Sequence, residues 1–282
     1  MNPATFQFLA GIVKERSGGV LTADQAYMLD TRLASLLKRE GLPNLDALAM
    51  KLRSPLASNL AQEMTELLTT NESHFFRDGK PFDYLRAVLP ELHKARAPGL
   101  PIRIWSAACS TGQEAYSIAI IINELQDAGD AGWKTRRFEI FGTDLTKAVV
   151  DRAREGIFTQ FEVQRGLPVR QLMKHFQQVE GRWRAQDRLR NLMRFQQANL
   201  LHDLRGFGKF DLIFCRNVLI YFDLPTKARV LNALAGQLAP DGALFLGAAE
   251  TAMGITDRLE PIGGQRGIYH AAAAAGQVRA RA

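Results

Sequence analysis

From Ile102 onward the chain alternates β-rich runs with helical ones, and this alternation restricts the fold more than any other feature. The runs read IRIWSAA, QEAYSIAIIINELQ, FEIFGTD, a helix through Asp151, MRFQQANL, FDLIFCRN, a helix through Leu231, GALFLGAAE and GIYH. Strands separated by helices predict an α/β fold: a doubly wound, mostly parallel, Rossmann-like sheet with helices on both faces. Between Ile157 and Ala198 the rhythm breaks into a Gln- and Arg-rich stretch with a turn at Gly181. A small β-containing subdomain, a helix and a hairpin, is expected there as an insertion (157–198) between the second and third main strands.

Residues 1–70 have a different texture. Phe6, Leu9, Ile12 and Val13 recur at helical spacing, and Ser17-Gly18-Gly19, Gly41-Leu42-Pro43-Asn44 and Ser54-Pro55 punctuate short amphipathic segments, so a small helical domain is expected. A linker helix (71–94), the sheet domain (95–270) and a flexible tail (271–282) complete the expected organisation. A chain of 282 residues with 46% hydrophobic content can fill both cores. Charges at Lys14, Glu15 and Arg16 end the first apolar run too early for a secretory core, and no segment approaches the roughly 18 apolar residues of a membrane span. The two cysteines, Cys109 and Cys215, sit in apolar strand contexts and read as reduced packing residues, so a cytoplasmic location without membrane insertion is expected. With 36 Lys and Arg against 29 Asp and Glu, the net charge of +7 suits an anionic partner, and Arg32, Lys38, Arg39, Lys51 and Arg53 supply part of it from the helical segment.

Polar residues gather where the predicted strands end. Ser106 to Gly112 is a run of small residues between a strand and an apolar helix, which lets a ligand approach backbone N–H groups, although it is not a G-x-G-x-x-G loop. Asp144 ends the next strand, where a carboxylate can hold both hydroxyls of a ribose; capping the following helix is the competing role. Asn199-Leu200 and Arg216-Asn217 end two further strands, and in an open parallel sheet such tips converge on one crevice. Upstream, Phe75 and Phe76 of TTNESHFFRD read as core anchors, and Arg77 beside them as a guanidinium aimed at a carboxylate of the protein or of a ligand. No Walker lysine motif is present, and the five histidines show no metal-ligand spacing, so no metal is expected.

Taken in order, TTNESHFFRD, IWSAACSTGQEAYSIA, FGTDL, QQANLL, FDLIFCRNVLIYFD and GALFLGAAE resemble the CheR family of chemotaxis receptor methyltransferases over about residues 60–270. The resemblance implies S-adenosylmethionine-dependent O-methylation of receptor glutamates, with S-adenosylhomocysteine as product. It implies cofactor contacts from Asn71, Ser73, Arg77, Glu114, Asp144, Asn199, Leu200, Arg216 and Asn217, and places Arg77 and Tyr221 beside the reaction centre. The implied partner is the cytoplasmic helical bundle of methyl-accepting chemotaxis receptors, and the enzyme is expected to be a monomer. Ser73 stands where the family commonly has Thr, Gln113 and Ala115 interrupt a loop that often reads GEEP, and Ala249 replaces a frequent serine before Glu250. Gln113 and Glu250 are therefore left out of the expected contacts. Two alternatives remain at this level: a methyltransferase acting on nucleic acid, which the basic charge favours, and a cofactor-binding signalling scaffold without turnover. Against the first, the chain has no N/D-P-P-Y type motif and no cysteine in a polar loop.

Overall fold

The computed structural model describes residues 2–272, so the tail expected from 271 lies, beyond Ala272, outside the described residues. The chain divides into two compact units, one made of 1–70 with 221–227, the other of 71–220 with 228 onward.

Four helices build the first unit: Pro3–Ser17, Ala26–Arg39, Leu45–Leu52 and Ser58–Leu68. Their ends are set by the punctuation seen in the sequence. Asn2 accepts from the Ala4 N–H, Asn44 from Ala47, and Gly18 closes the first helix at φ 80°, a conformation glycine adopts without a Cβ penalty. Leu9, Val13, Leu29, Leu33, Leu36, Leu48, Met64 and Leu68 form its core. The basic residues of this unit are largely committed within it. Arg32 donates to the carbonyls of Leu68 (2.8 Å) and Thr69 (3.3 Å), Arg39 pairs with Glu63 and Glu40, Lys51 pairs with Glu40, and Arg53 lies over the Phe8 ring. The stretch 221–227, expected within the sheet domain, groups with this unit instead. Val20 N–H donates to the Tyr221 carbonyl (2.8 Å) and Lys14 pairs with Asp223 (2.7 Å).

In the second unit the strands are β1 (Ile102–Ala107), β2 (Phe138–Asp144), β3 (Ile157–Phe158), β4 (Phe176–Val179), β5 (Arg182–Ala185), β6 (Met193–Gln197), β7 (Phe210–Cys215), β8 (Leu238–Leu246), β9 (Leu259–Pro261) and β10 (Ile268–Ala271). Seven of them form one sheet in the order β6-β2-β1-β7-β8-β10-β9. The neighbours from β6 to β8 are parallel, and β10 runs antiparallel to both β8 and β9. All six residues of β7 are buried, as a central strand covered on both faces requires. Strand order reverses between β1 and β7, so the crevice at their carboxyl ends is the topological switch point where ligands bind in such sheets.

The insertion is a three-stranded antiparallel sheet, β3-β5-β4, with short helices Gln160–Gln164 and Val169–His175. It ends sooner than the expected 198, because Met193–Gln197 pairs with β2 as the edge strand of the main sheet. Phe75 anchors it edge-to-face, 5.0 Å from Phe158 and 5.8 Å from Phe176. Gly166 (φ 84°) is obligatory beside it, since a Cβ there would lie 2.0 Å from the Phe75 carbonyl oxygen.

His175 is fully buried in this insertion, and neither ring nitrogen has a hydrogen-bond partner among the described residues. Burial, reinforced by Lys174 and Arg188 against the weaker pull of Glu124 and Asp127, lowers its pKa to about 4. The folded value is depressed below the unfolded one, so the unfolded chain takes up the proton first as pH falls below about 6.5, and stability drops until pH reaches the folded value. His175→Leu is expected to remove roughly 2.5 kcal/mol of the stability loss between pH 7.5 and 4.5. Urea unfolding of both proteins at the two pH values measures this; parallel losses in wild type and variant would show that His175 is not the group responsible.

Candidate active site

The linker expected as a helix over 71–94 is helical only as Lys80–Ala95; ahead of it 71–78 runs as loop and turn and is tied down residue by residue. Ser110 Oγ donates to the Asn71 carbonyl (2.7 Å), Phe75 N–H to the Arg165 carbonyl (3.2 Å), and Phe76 N–H to Ser117 Oγ (3.0 Å). Arg216, the first residue after β7, binds its end: Nη2 donates to the Arg77 carbonyl and to Asp78 Oδ2, both at 2.7 Å. The same guanidinium donates through Nη1 to Glu114 Oε2 (3.0 Å), while Glu114 Oε1 accepts from Ser106 Oγ (2.7 Å). The Arg216 side chain is 2% exposed, between two carboxylates, with Nε buried and lacking a hydrogen-bond partner among the described residues.

Asp144 is buried at the tip of β2. Its Oδ2 accepts the Ser110 N–H (2.8 Å) and its Oδ1 the Thr146 N–H (3.0 Å), so one carboxylate shapes the loop after β1 and the turn before helix Lys147–Glu155. The N-cap position of that helix is Thr146 rather than Asp144. Next to it, the Asp144 carbonyl accepts from Ala198 N–H (2.9 Å), and Asn199 Oδ1 accepts from Leu201 N–H (2.9 Å), which sets Asn199 and Leu200 at the end of β6.

Five of the six described non-glycine residues with positive φ flank this crevice: Phe76 (49°), Asp78 (69°), Ala108 (57°), Ser110 (51°) and Asn217 (60°). Such conformations cost of order 1–3 kcal/mol each and concentrate where a ligand is clamped. Gly112 (φ 95°) then opens helix Gln113–Ala128 at the same place; a Cβ would meet Ala153 and Tyr116 at 3.1–3.3 Å.

Eight expected contact residues thus come together at the carboxyl ends of β1, β2, β6 and β7: Asn71, Arg77, Glu114, Asp144, Asn199, Leu200, Arg216 and Asn217. Ser73 lies in the same segment, half-buried. For Arg77, expected to face a carboxylate of the protein or of a ligand, the described residues of the protein supply no paired carboxylate. Among the described residues its guanidinium makes one long bond, to the Glu72 carbonyl (3.4 Å), because the Glu72 carboxylate is held by Arg165 (2.7 Å). Tyr221 closes the short turn Leu219–Tyr221 and belongs to the first unit; it is 37% exposed and its hydroxyl has no hydrogen-bond partner among the described residues.

Glu250, left out of the expected contacts, borders the same crevice. It sits in the turn after β8, and its two oxygens accept four backbone N–H groups, from Asn217 (2.9 Å), Val218 (2.9 Å), Ile220 (3.3 Å) and Gly247 (2.6 Å). The signal was present as an acid three residues beyond the glycine that follows β8, but three of its four donors lie in another strand's loop.

Cys109 and Cys215 are both buried, and burial pushes both thiols well above their usual range, so neither offers a thiolate nucleophile. Among the described residues no group of three or more His, Cys, Asp or Glu is placed to hold a metal ion, and no helix is long and apolar enough to cross a membrane. The groups present suit an adenosine with a charged methionine tail: a buried carboxylate at a strand tip, a loop of small residues at a helix start, an acid and two guanidiniums.

Comparison with known proteins agrees. Residues 71–268 match the family model described as CheR methyltransferase, SAM binding domain, and residues 4–69 match CheR methyltransferase, all-alpha domain. A Pseudomonas aeruginosa protein, "Chemotaxis protein methyltransferase 1", is 35% identical over 95% of this chain and 98% of its own length. A Vibrio cholerae protein of the same description is 36% identical over 92% and 93%, and the Salmonella typhimurium "Chemotaxis protein methyltransferase" 34% identical over 89% and 84%. The chain therefore belongs to the CheR family of chemotaxis methyltransferases and carries its S-adenosylmethionine-binding domain at the switch point of the sheet.

Proposed function

We propose that this enzyme esterifies glutamate side chains on the cytoplasmic helical bundle of methyl-accepting chemotaxis receptors, acting as a cytoplasmic monomer. The observation that carries the reading is the convergence of Arg77, Glu114, Asp144, Arg216 and Asn217 on one crevice whose carboxylates already accept hydrogen bonds from Arg216, Ser106, Ser110 and Thr146. Bound there, S-adenosylmethionine would supply an electrophilic sulfonium methyl. A glutamate carboxylate has an ordinary pKa near 4.3, so at neutral pH the nucleophile is already ionised and needs no base. One carboxylate oxygen forms the new O–CH3 bond while the S–CH3 bond breaks and its electron pair stays on sulfur. Catalysis then reduces to alignment and exclusion of water.

The protein's residues divide this work. Asp144, at the tip of β2, holds the ribose, and Asn199, Leu200 and Asn217 border the base and sugar. Glu114 and the small-residue loop face the amino-acid end. Arg77, the guanidinium without an internal carboxylate, orients the incoming carboxylate or the cofactor's own. Tyr221 is assigned to the methyl channel on the family resemblance.

Arg77→Ala is expected to lower kcat/KM about 100-fold or more, and Tyr221→Phe about tenfold, with the fold retained. Tritium transfer from labelled cofactor into receptor-bearing membranes, released by alkali as methyl ester, measures both. Near wild-type turnover by both variants at saturating cofactor would remove these two residues from the reaction.

The substrate helices of such a bundle are acidic, and the enzyme carries +7. Raising ionic strength from about 0.05 to 0.3 M is expected to increase the receptor KM several-fold while leaving cofactor affinity little changed. Lys38→Gln probes the same attraction, because Lys38 is exposed and makes no ion pair among the described residues, whereas Arg32 and Arg39 hold their own unit together. Receptor methylation that ignores salt would refute the electrostatic contribution.

A further inference from the structure

We infer that Glu250 is a positioning residue for cofactor binding: its carboxylate clamps the loop after β7 so that Asn217 is held in the left-handed conformation the site requires. The inference rests on the assignment of Asn217 to the cofactor site.

Each Glu250 oxygen has two N–H donors. Oε2 takes those of Asn217 and Gly247, and Oε1 those of Val218 and Ile220. Three of the donors lie within four residues on a loop that has just left the sheet. The fourth comes from Gly247, directly after β8, the parallel neighbour of β7. The carboxylate therefore staples the carboxyl ends of adjacent strands together, and it does so from inside a turn closed by Glu250 N–H on the Gly247 carbonyl (2.9 Å).

The four bonds demand acceptors on both oxygens. A carboxylate provides that and an amide does not, because a glutamine NH2 in either position would face two N–H donors. Space is equally restricted. A Cβ on residue 247 would lie 2.7 Å from Glu250 Oε2, 2.8 Å from Asn217 Nδ2 and 2.9 Å from Asn217 N, so only glycine admits the clamp. Asn217 at φ 60° is a conformation that asparagine tolerates but does not hold by itself. Without the clamp the loop relaxes, and the Asn217 side chain leaves its place beside Gly247.

Glu250→Gln and Gly247→Ala test the clamp by removing acceptors and by filling its space. Cofactor affinity is measured by calorimetry below the melting temperature of each variant, together with the cofactor KM and kcat and hydrogen exchange of the 217–220 amides. Asp211→Asn is the control, a buried carboxylate at the opposite end of β7 that accepts the Arg103 N–H (2.7 Å) and pairs with Arg96. Both clamp variants are expected to weaken S-adenosylmethionine binding about tenfold or more and to speed exchange at 217–220, with kcat at saturation changed far less. The control is expected to lose stability without losing affinity. If the clamp variants are merely less stable and bind cofactor like wild type, the inference is overturned; if Glu250→Gln does not fold, Gly247→Ala decides alone. Asn217→Ala separates the underlying assignment: unchanged cofactor affinity there would overturn the role of Asn217, whatever the clamp variants do.

Discussion

The Arg216 guanidinium, buried between Glu114 and Asp78, is the contact on which the catalytic unit's site depends. It joins three pieces distant in sequence: the end of β7, the first turn of helix Gln113–Ala128 and the turn that carries Arg77. Taking Arg216 and Glu114 out of water costs several kcal/mol per ion, and the bonds to the Arg77 carbonyl, to Glu114 and to the still exposed Asp78 offset that only while all of them are made. Such an arrangement is weak as a source of net stability and strong as a source of geometry. Removing any one partner leaves a buried charge without compensation, so the three segments keep one mutual placement.

This changes the meaning of Arg216 as a site residue. Its donors point largely into the protein, toward Glu114, Asp78 and the Arg77 carbonyl, so most of its contribution is to place Arg77 and Glu114. The same pattern holds for Asp144, whose oxygens organise two loops before any ligand arrives, and for Glu250. Four carboxylates and two guanidiniums surround a crevice in an otherwise basic chain. The acids satisfy backbone N–H groups and the arginine while leaving an excess of negative charge, which suits a sulfonium cation and an ammonium.

How much of this was legible in the sequence follows from what each feature depends on. The parallel sheet was readable because β1, β2 and β7 are apolar on both faces, and burial on both faces writes itself into consecutive residues. Asp144, Arg216 and Asn217 were readable because strand tips are positions, and the fold gathers strand tips. The insertion's far boundary, set at 198, overlapped MRFQQ, which already read as a strand of the main sheet: β6 is an edge strand with three exposed residues and so also carries the polar texture of the hairpin before it. Tyr221–Lys227 was assigned to the sheet domain because chain continuity suggested it, whereas its partners Lys14 and Val20 are some 200 residues earlier, as the Lys14–Asp223 and Val20–Tyr221 pairs show. Phe75 reads as an anchor from its own chemistry, but Arg77 does not reveal from neighbours alone that Glu72 is taken by Arg165.

The unreadable part has one physical source. Ala108, Ser110 and Asn217 hold left-handed conformations that none of them prefers, and no local pattern marks them. Their conformations are imposed from elsewhere: Ser110 by Asp144 through its N–H and by Asn71 through its hydroxyl, Asn217 by Glu250. A glycine at these positions would announce the turn and weaken it, since glycine returns to right-handed space as readily as it leaves it. A non-glycine residue held by a distant carboxylate is silent in the sequence and stiff in the fold. The reaction needs no base and gains its rate from alignment, so stiffness at the backbone of the crevice is what the chain's acids supply.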